Sequence, residues 1–255
     1  MALDRSSVAR TLAAAGSIAP NEEAEELVQA AAGDAAVLAD LVRRRAKGEP
    51  VAWLTGEVTF CDVRVGVRPG VYVPRWQTEQ LARRAASLLP PGGVGVDLCT
   101  GSGAIALVLA AAEPSAQVVA TELDDTAVAC ARANGVDVFA GFLDEPLPRS
   151  LEVRVDVLTA VVPYVPTDEL RLLPRDVRAF EPRLALDGGV DGTGLLAEVV
   201  RRSPRWLRPG GWVLLELGGD QAEQLGGSLD DAGFETPEVL LDEEGDPRAI
   251  CARQP

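Results

Sequence analysis

The sequence predicts an α/β fold, a mostly parallel sheet covered by helices on both faces, behind a small helical region. Three observations carry this reading. From residue 75 onward, short apolar runs alternate with segments of helical periodicity. Gly/Pro clusters such as Pro90-Pro91-Gly92-Gly93 and Arg208-Pro209-Gly210-Gly211 punctuate them. Strand and helix in alternation imply parallel strands joined by crossover helices.

Taken in order, residues 1–46 read as helical and as a small domain. Ala24, Leu27, Val28 and Ala31 fall at helical spacing, and Leu38, Leu41 and Val42 repeat it. Asn21 before Glu22-Glu23 reads as a helix cap with acidic first-turn residues. Residues 47–74 change character and read as a hairpin linker. Val58 and Phe60 alternate with polar residues, as do Val63, Val65 and Val67, with Cys61-Asp62 as the turn.

The third region is 75–255. Helices are expected over 78–89, 125–134, 195–207 and 221–232. Strands are expected at 94–98, 117–122, 136–138, 153–161 and 212–217. A closing hairpin is expected from 238–241 and 248–252.

Composition narrows the function. The chain has 255 residues and a formal net charge of −15, so a phosphate backbone is repelled and nucleic acid is not the expected partner. There are no histidines, which excludes every Ser-His-Asp triad and the commonest metal ligand. Cys61, Cys99, Cys130 and Cys251 lack the spacing of a zinc or redox motif, so four reduced thiols in a cytoplasmic protein are expected. No apolar run reaches the roughly 18 residues of a membrane span, and no membrane partner is expected.

The chemistry-bearing signal is Asp97-Leu98-Cys99-Thr100-Gly101-Ser102-Gly103, at the end of one strand and the start of a helix. Glycines there let backbone approach a ligand, and ligands of open parallel sheets sit beyond the strands' C-terminal ends. Glu122, at the end of the next strand, lies at the spacing that suits a ribose diol. Ala106 stands where a dinucleotide fingerprint has its third glycine, which separates this turn from the NAD pattern.

Further motifs span the chain: Gly48-Glu49-Pro50-Val51-Ala52-Trp53, Val73-Pro74-Arg75-Trp76-Gln77-Thr78-Glu79, Pro163-Tyr164-Val165-Pro166, Phe180-Glu181-Pro182-Arg183 and Leu207-Arg208-Pro209-Gly210-Gly211. With the glycine turn, they make the chain resemble the HemK-type protein glutamine-N5 methyltransferases. The resemblance implies a class I methyltransferase sheet of Rossmann-like type, a helical N-terminal domain and a hairpin linker. It implies S-adenosylmethionine as cofactor. It assigns Asp97, Gly101 and Gly103 to the cofactor's methionine side, with Cys99 and Thr100 in the same turn. Glu122, followed by Leu123, takes the ribose hydroxyls. Arg75 and Thr78 belong to a loop over the pocket, and Gly141 and Phe142 lie near the adenine.

Three departures from the family pattern shape the expectation. Cys99 replaces the first motif glycine. Phe142 replaces an aspartate, leaving a ring to stack on the adenine and only Asp144 nearby to accept from its amino group. Val161-Val162-Pro163-Tyr164 replaces Asn-Pro-Pro-Tyr, whose asparagine oxygen holds the acceptor amide in line with the methyl group. Valine offers no acceptor, and losing a polar partner costs such a site heavily. The sequence therefore predicts an acceptor other than glutamine, namely a small molecule, bound beside Val161, Val162, Pro163 and Tyr164. A protein substrate is a lesser expectation. One alternative is intramolecular cyclisation of S-adenosylmethionine alone, with release of methylthioadenosine. Another is a non-catalytic binding protein.

Among the remaining residues, Trp53, Trp206 and Trp212 read as core, and Trp76 as a pocket wall. Glu181-Pro182-Arg183 reads as a loop anchor with an ion pair at Arg183. Glu216 is expected either to face the cleft or to be paired in the interior.

Overall fold

The computed structural model describes residues 4–255, so the first three residues of the expected helical region lie outside it. Asp4 opens helix α1 (Arg5–Ala14) by accepting from the Ser7 N–H at 2.7 Å. Helix α2 (Pro20–Ala30) begins one residue before the expected cap: Pro20, with its φ already fixed, takes the first helical position, and Asn21 falls inside the first turn. Asp34 caps α3 (Ala35–Arg45) through the Ala36 and Val37 N–H groups. The three helices close on Val8, Leu12, Ala24, Leu27, Leu38 and Leu41. Arg45 fastens α3 to α2 with two 2.8 Å bonds to Glu23.

A short helix not foreseen, α4 (Val51–Thr55), follows and ends at Gly56 in the left-handed region. Trp53 is buried, and its Nε1 donates to the Val71 carbonyl at 2.9 Å. The hairpin β1 (Glu57–Phe60) and β2 (Val63–Gly66) turns at Cys61 and Asp62, with φ of 48° and 65°. Two positive φ values in succession give a turn whose twist matches the strands.

The main sheet is laid down by α5 (Glu79–Leu88), β3 (Val94–Leu98), α6 (Ala104–Ala112), β4 (Gln117–Glu122), α7 (Asp125–Ala133), β5 (Val138–Ala140) and β6 (Val155–Ala160). It continues with α8 (Arg175–Phe180), α9 (Gly194–Arg202), β7 (Leu207–Glu216), α10 (Gln221–Gln224), α11 (Gly226–Asp231), β8 (Glu238–Leu241) and β9 (Pro247–Arg253). The seven strands stand in the order β5-β4-β3-β6-β7-β9-β8 and are parallel except for β9, which is antiparallel to both its neighbours. The α/β expectation thus holds.

Boundaries moved where local chemistry overrode periodicity. The helix expected to reach residue 207 stops at Arg202, and Pro204 lies in a 3-10 turn that leads into β7. The turn expected at 208–211 lies within β7, whose register with β6 jumps from Val155↔Leu207 to Val157↔Trp212. The helix expected over 221–232 is split before Gly226-Gly227, two poor helix formers. The strand expected at 136–138 runs two residues later.

Strand alternation sends Leu158, Ala160, Val213 and Leu215 to one face, against Leu196, Val199 and Trp206. Val157 and Leu214 face the other side, against Leu81, Ala85 and Leu109. Among the described residues no helix is long and apolar enough to cross a membrane.

Candidate active site

At the C-terminal end of β3 the chain reverses through Cys99, Gly101 and Gly103, with φ of 55°, 58° and 88°. A Cβ on Gly103 would stand 2.6 Å from Val136 Cγ2, whereas one on Gly101 would meet nothing within 4 Å. Gly103 therefore seats the turn against Val136, just before β5, and Gly101 leaves its outer side open. Asp97, 1% exposed, accepts from the Thr100 hydroxyl at 2.5 Å and the Thr159 hydroxyl at 2.7 Å. Burial pushes its carboxyl up to about 6, with the two threonines pulling the other way.

Glu122 is tied to the same turn. Its carboxylate accepts from the N–H groups of Gly101 (2.8 Å), Leu123 (2.7 Å) and Asp124 (2.9 Å). Asn134, which no sequence signal singled out, clips the hairpin to the turn: its Nδ2 donates to the Ser102 and Gly66 carbonyls, both at 2.8 Å.

Beyond Gly141, Phe142 is half-buried, with the Arg202 guanidinium 5.7 Å from its ring centroid. Asp144 does not reach outward as expected. It is buried and accepts from Trp206 Nε1 at 2.8 Å and Arg202 at 2.9 Å, so both its oxygens are committed to the core.

The second half of the site follows β6. Val162 is buried, while Val161, Pro163 and Tyr164 are partly exposed. The Tyr164 hydroxyl donates to Glu216 Oε1 at 2.8 Å, and the Tyr164 carbonyl accepts from Gln221 Nε2 at 2.8 Å. A Cβ on Gly192 would fall 2.0 Å from that carbonyl, so the 188–192 loop packs this closely only with glycine there. Among the described residues no hydrogen bond ends on the carbonyls of Val161, Val162 or Pro163. Glu216 is both buried and turned toward the cleft, meeting both parts of its expectation.

Over this wall lie Tyr72, Arg75 and Thr78. Arg75 pairs with the buried Glu181 and sits 5.0 Å from the Tyr72 ring centroid. Burial raises the Tyr72 hydroxyl to about 12 and raises the Glu181 carboxyl, the latter against the pull of Arg75. Arg183 makes its ion pair with Asp187 at 2.8 Å. Trp53 and Trp206 are core, Trp212 is partly buried against it, and Trp76 is exposed at the pocket wall.

One cavity of about 840 Å³ joins the two halves. It is lined by Arg75, Thr78, Asp97, Cys99, Thr100, Gly101, Glu122, Leu123, Gly141, Phe142 and the whole of Val161–Tyr164. Of the residues singled out in sequence as cofactor or acceptor contacts, Gly103 and Asp144 lie behind the surface. Tyr72 and Glu216 also line it.

Residues 78–138 match the family model of the methyltransferase small domain. The release factor glutamine methyltransferase of Geobacter sulfurreducens is 39% identical over 219 residues, covering 84% of this chain and 76% of that protein. The protein of the same name from Mycolicibacterium smegmatis is 36% identical over 264 residues, covering 95% of this chain and 93% of that protein. This chain belongs to the release factor glutamine methyltransferase family. A methyltransferase from Pyrococcus furiosus shares the fold, with a TM-score of 0.55 at 18% identity over 74% of this chain and 88% of that one. The chain is a methyltransferase by family, and S-adenosylmethionine is its cofactor.

Family membership overturns the acceptor expected from Val161. Relatives that match along most of their length are named for glutamine methylation of release factors, not for a small-molecule acceptor, and none of those compared is named a cyclase or a binding protein. Valine at 161 removes one of the wall's two expected acceptors, the side-chain oxygen, and leaves the Val162 carbonyl available. The unbonded main-chain carbonyls of the same segment depend on backbone course, and a side-chain change leaves them in place.

Proposed function

We propose that this protein transfers the methyl group of S-adenosylmethionine to the side-chain amide nitrogen of a glutamine in a polypeptide release factor. The observation that carries it is the 36% identity with the Mycolicibacterium smegmatis protein across 93% of that protein's length, helical region and hairpin included.

The cavity's donor and acceptor set fits both ligands. The open side of Gly101 admits a ligand where side chains would block it. Glu122, held in place by three N–H groups, keeps lone pairs for ribose hydroxyls. Phe142 offers a ring face for the adenine, with Arg202 close by. Asp97 holds the positively charged amino end, and a cation bound there stabilises the buried carboxylate that desolvation disfavours.

S-adenosylmethionine supplies a methyl group already activated by its sulfonium. What remains for the protein is positioning and exclusion of water. The unbonded carbonyl of Val162 accepts from one N–H of the acceptor amide. Pro163 and Tyr164 wall the planar group, with Tyr164 fixed at its hydroxyl by Glu216 and at its carbonyl by Gln221. The apolar Val161 and buried Val162 keep water from competing for the amide.

The test is nucleoside analysis with and without a purified release factor. S-adenosylhomocysteine that accumulates only when the release factor is present supports the reading. Methylthioadenosine formed without any acceptor contradicts it.

A further inference from the structure

Among the described residues that line the cavity, Ser102 and Glu216 each carry a buried side-chain oxygen with no hydrogen-bond partner, and only that of Glu216 is a carboxylate. Glu216 is 4% exposed; its Oε1 accepts from the Tyr164 hydroxyl at 2.8 Å, but its Oε2 is buried with no hydrogen-bond partner. Burying a carboxylate oxygen unpaired is costly, so an interior that keeps one leaves it for a ligand or strains to hold it. The Thr78 hydroxyl favours the charged form without completing a bond to Oε2.

Its place in the sheet says what it serves. β6 and β7 run parallel with Ala160 opposite Leu215. One step further, Val161 and Glu216 come abreast, one strand spacing or about 4.8 Å apart. Alternation puts both on the face of Val157, Trp212 and Leu214. The position that lacks a side-chain acceptor therefore stands beside a carboxylate with a spare oxygen, and both line the same cavity.

We propose that Glu216 is the side-chain acceptor for the substrate amide: its Oε2 takes one N–H of the glutamine side chain, while Tyr164 fixes Oε1 and aims the carboxylate. The inference rests on the glutamine reading above. The chemistry balances without a further reactant. The amide nitrogen's electron pair forms the bond to the methyl carbon, and the carbon–sulfur bond breaks with its electrons left on sulfur. The N–H proton passes to Glu216 Oε2 and from there to water as the cavity empties. Groups facing Glu216 from every neighbouring element are accounted for. Burial raises the Glu216 carboxyl above its ordinary range, while Thr78 and Arg75 from the segment before α5, Tyr164 from the wall and Arg248 from β9 oppose it; Tyr72, from the same segment as Arg75, also faces it.

The experiment compares full-length wild type, Glu216→Gln, and Glu216→Gln combined with Val161→Asn. It reads kcat/KM for methylation of a purified release factor, and S-adenosylmethionine affinity by calorimetry. In Glu216→Gln the Tyr164 hydroxyl selects the amide oxygen and turns the NH2 group toward the substrate, so kcat/KM falls about 100-fold while cofactor affinity stays put. An asparagine at 161 returns an acceptor one strand away and recovers about tenfold. A Glu216→Gln enzyme within about threefold of wild type would overturn the proposal and leave the glutamine reading intact. Wild type that binds the cofactor yet leaves the release factor unmodified would overturn both.

Discussion

The two ends of the cavity were built from different kinds of sequence information. The end proposed for the cofactor is local. Asp97, Thr100, Gly101 and Gly103 are near neighbours in the chain, and Glu122 joins them from the adjacent strand by a 2.8 Å bond to the Gly101 N–H. The end proposed for the acceptor is assembled from afar. Tyr72, Thr78, Tyr164, Glu216 and Arg248 meet only because four segments converge over the ends of β6 and β7. A single-residue change at the first end removes a part that nothing else supplies. At the second, the candidate groups come from separate segments, so a valine at 161 does not by itself decide the acceptor.

This contrast yields predictions of decreasing size. Arg75→Met leaves Glu181 buried and uncompensated beneath the acceptor end, at a cost of about 3 kcal/mol in denaturant unfolding at pH 7. Because the Glu181 carboxyl is already raised by burial, it escapes by taking a proton, and the loss shrinks as the pH is lowered toward 5. An equal loss at both pH values would break that account.

At the cofactor end, Asp97→Ala weakens S-adenosylmethionine binding about 100-fold by calorimetry, since no neighbour replaces a buried carboxylate. Unchanged affinity would erase the contrast between the two ends.

Asp97→Asn separates binding from folding. The folded carboxyl, at about 6, lies above its ordinary 3.8, so ionisation at higher pH works against the empty fold. The contribution of Asp97 to stability is whole below pH 3.8 and is lost as the pH rises through about 6. The asparagine variant without ligand is therefore more stable than wild type at pH 7, by about 2 kcal/mol, and this gain is absent at pH 3.5. Its cofactor affinity still falls. A variant that loses stability at pH 7 would contradict the cost assigned to the buried charge. The smallest effect is Cys99→Gly: relieving a left-handed residue at φ 55° raises stability by up to about 1 kcal/mol in the same unfolding assay.

Much of the architecture was readable because it repeats simple patterns. Strand runs such as Val94–Leu98 and Gln117–Glu122 carry their own boundaries, and the Cys61-Asp62 hairpin turn was visible in alternation alone. What escaped was set by tertiary context. Helix α4 and the short turns over 167–185 lack the length for a clear period. Asp144 looked like a pocket residue by position, and only the fold shows Trp206 and Arg202 drawing it inward. Asn134 gave no local signal, since it acts through Gly66 and Ser102, both distant in the chain.

The central claim is that a glutamine side-chain nitrogen is the methyl acceptor at the Val161–Tyr164 wall. Fragment mass spectrometry of a purified release factor, incubated with this enzyme and S-adenosylmethionine, tests it most directly. The account predicts one added methyl group on the side-chain nitrogen of a single glutamine. A methyl group on any other atom, or consumed cofactor beside an unmodified release factor, would contradict it.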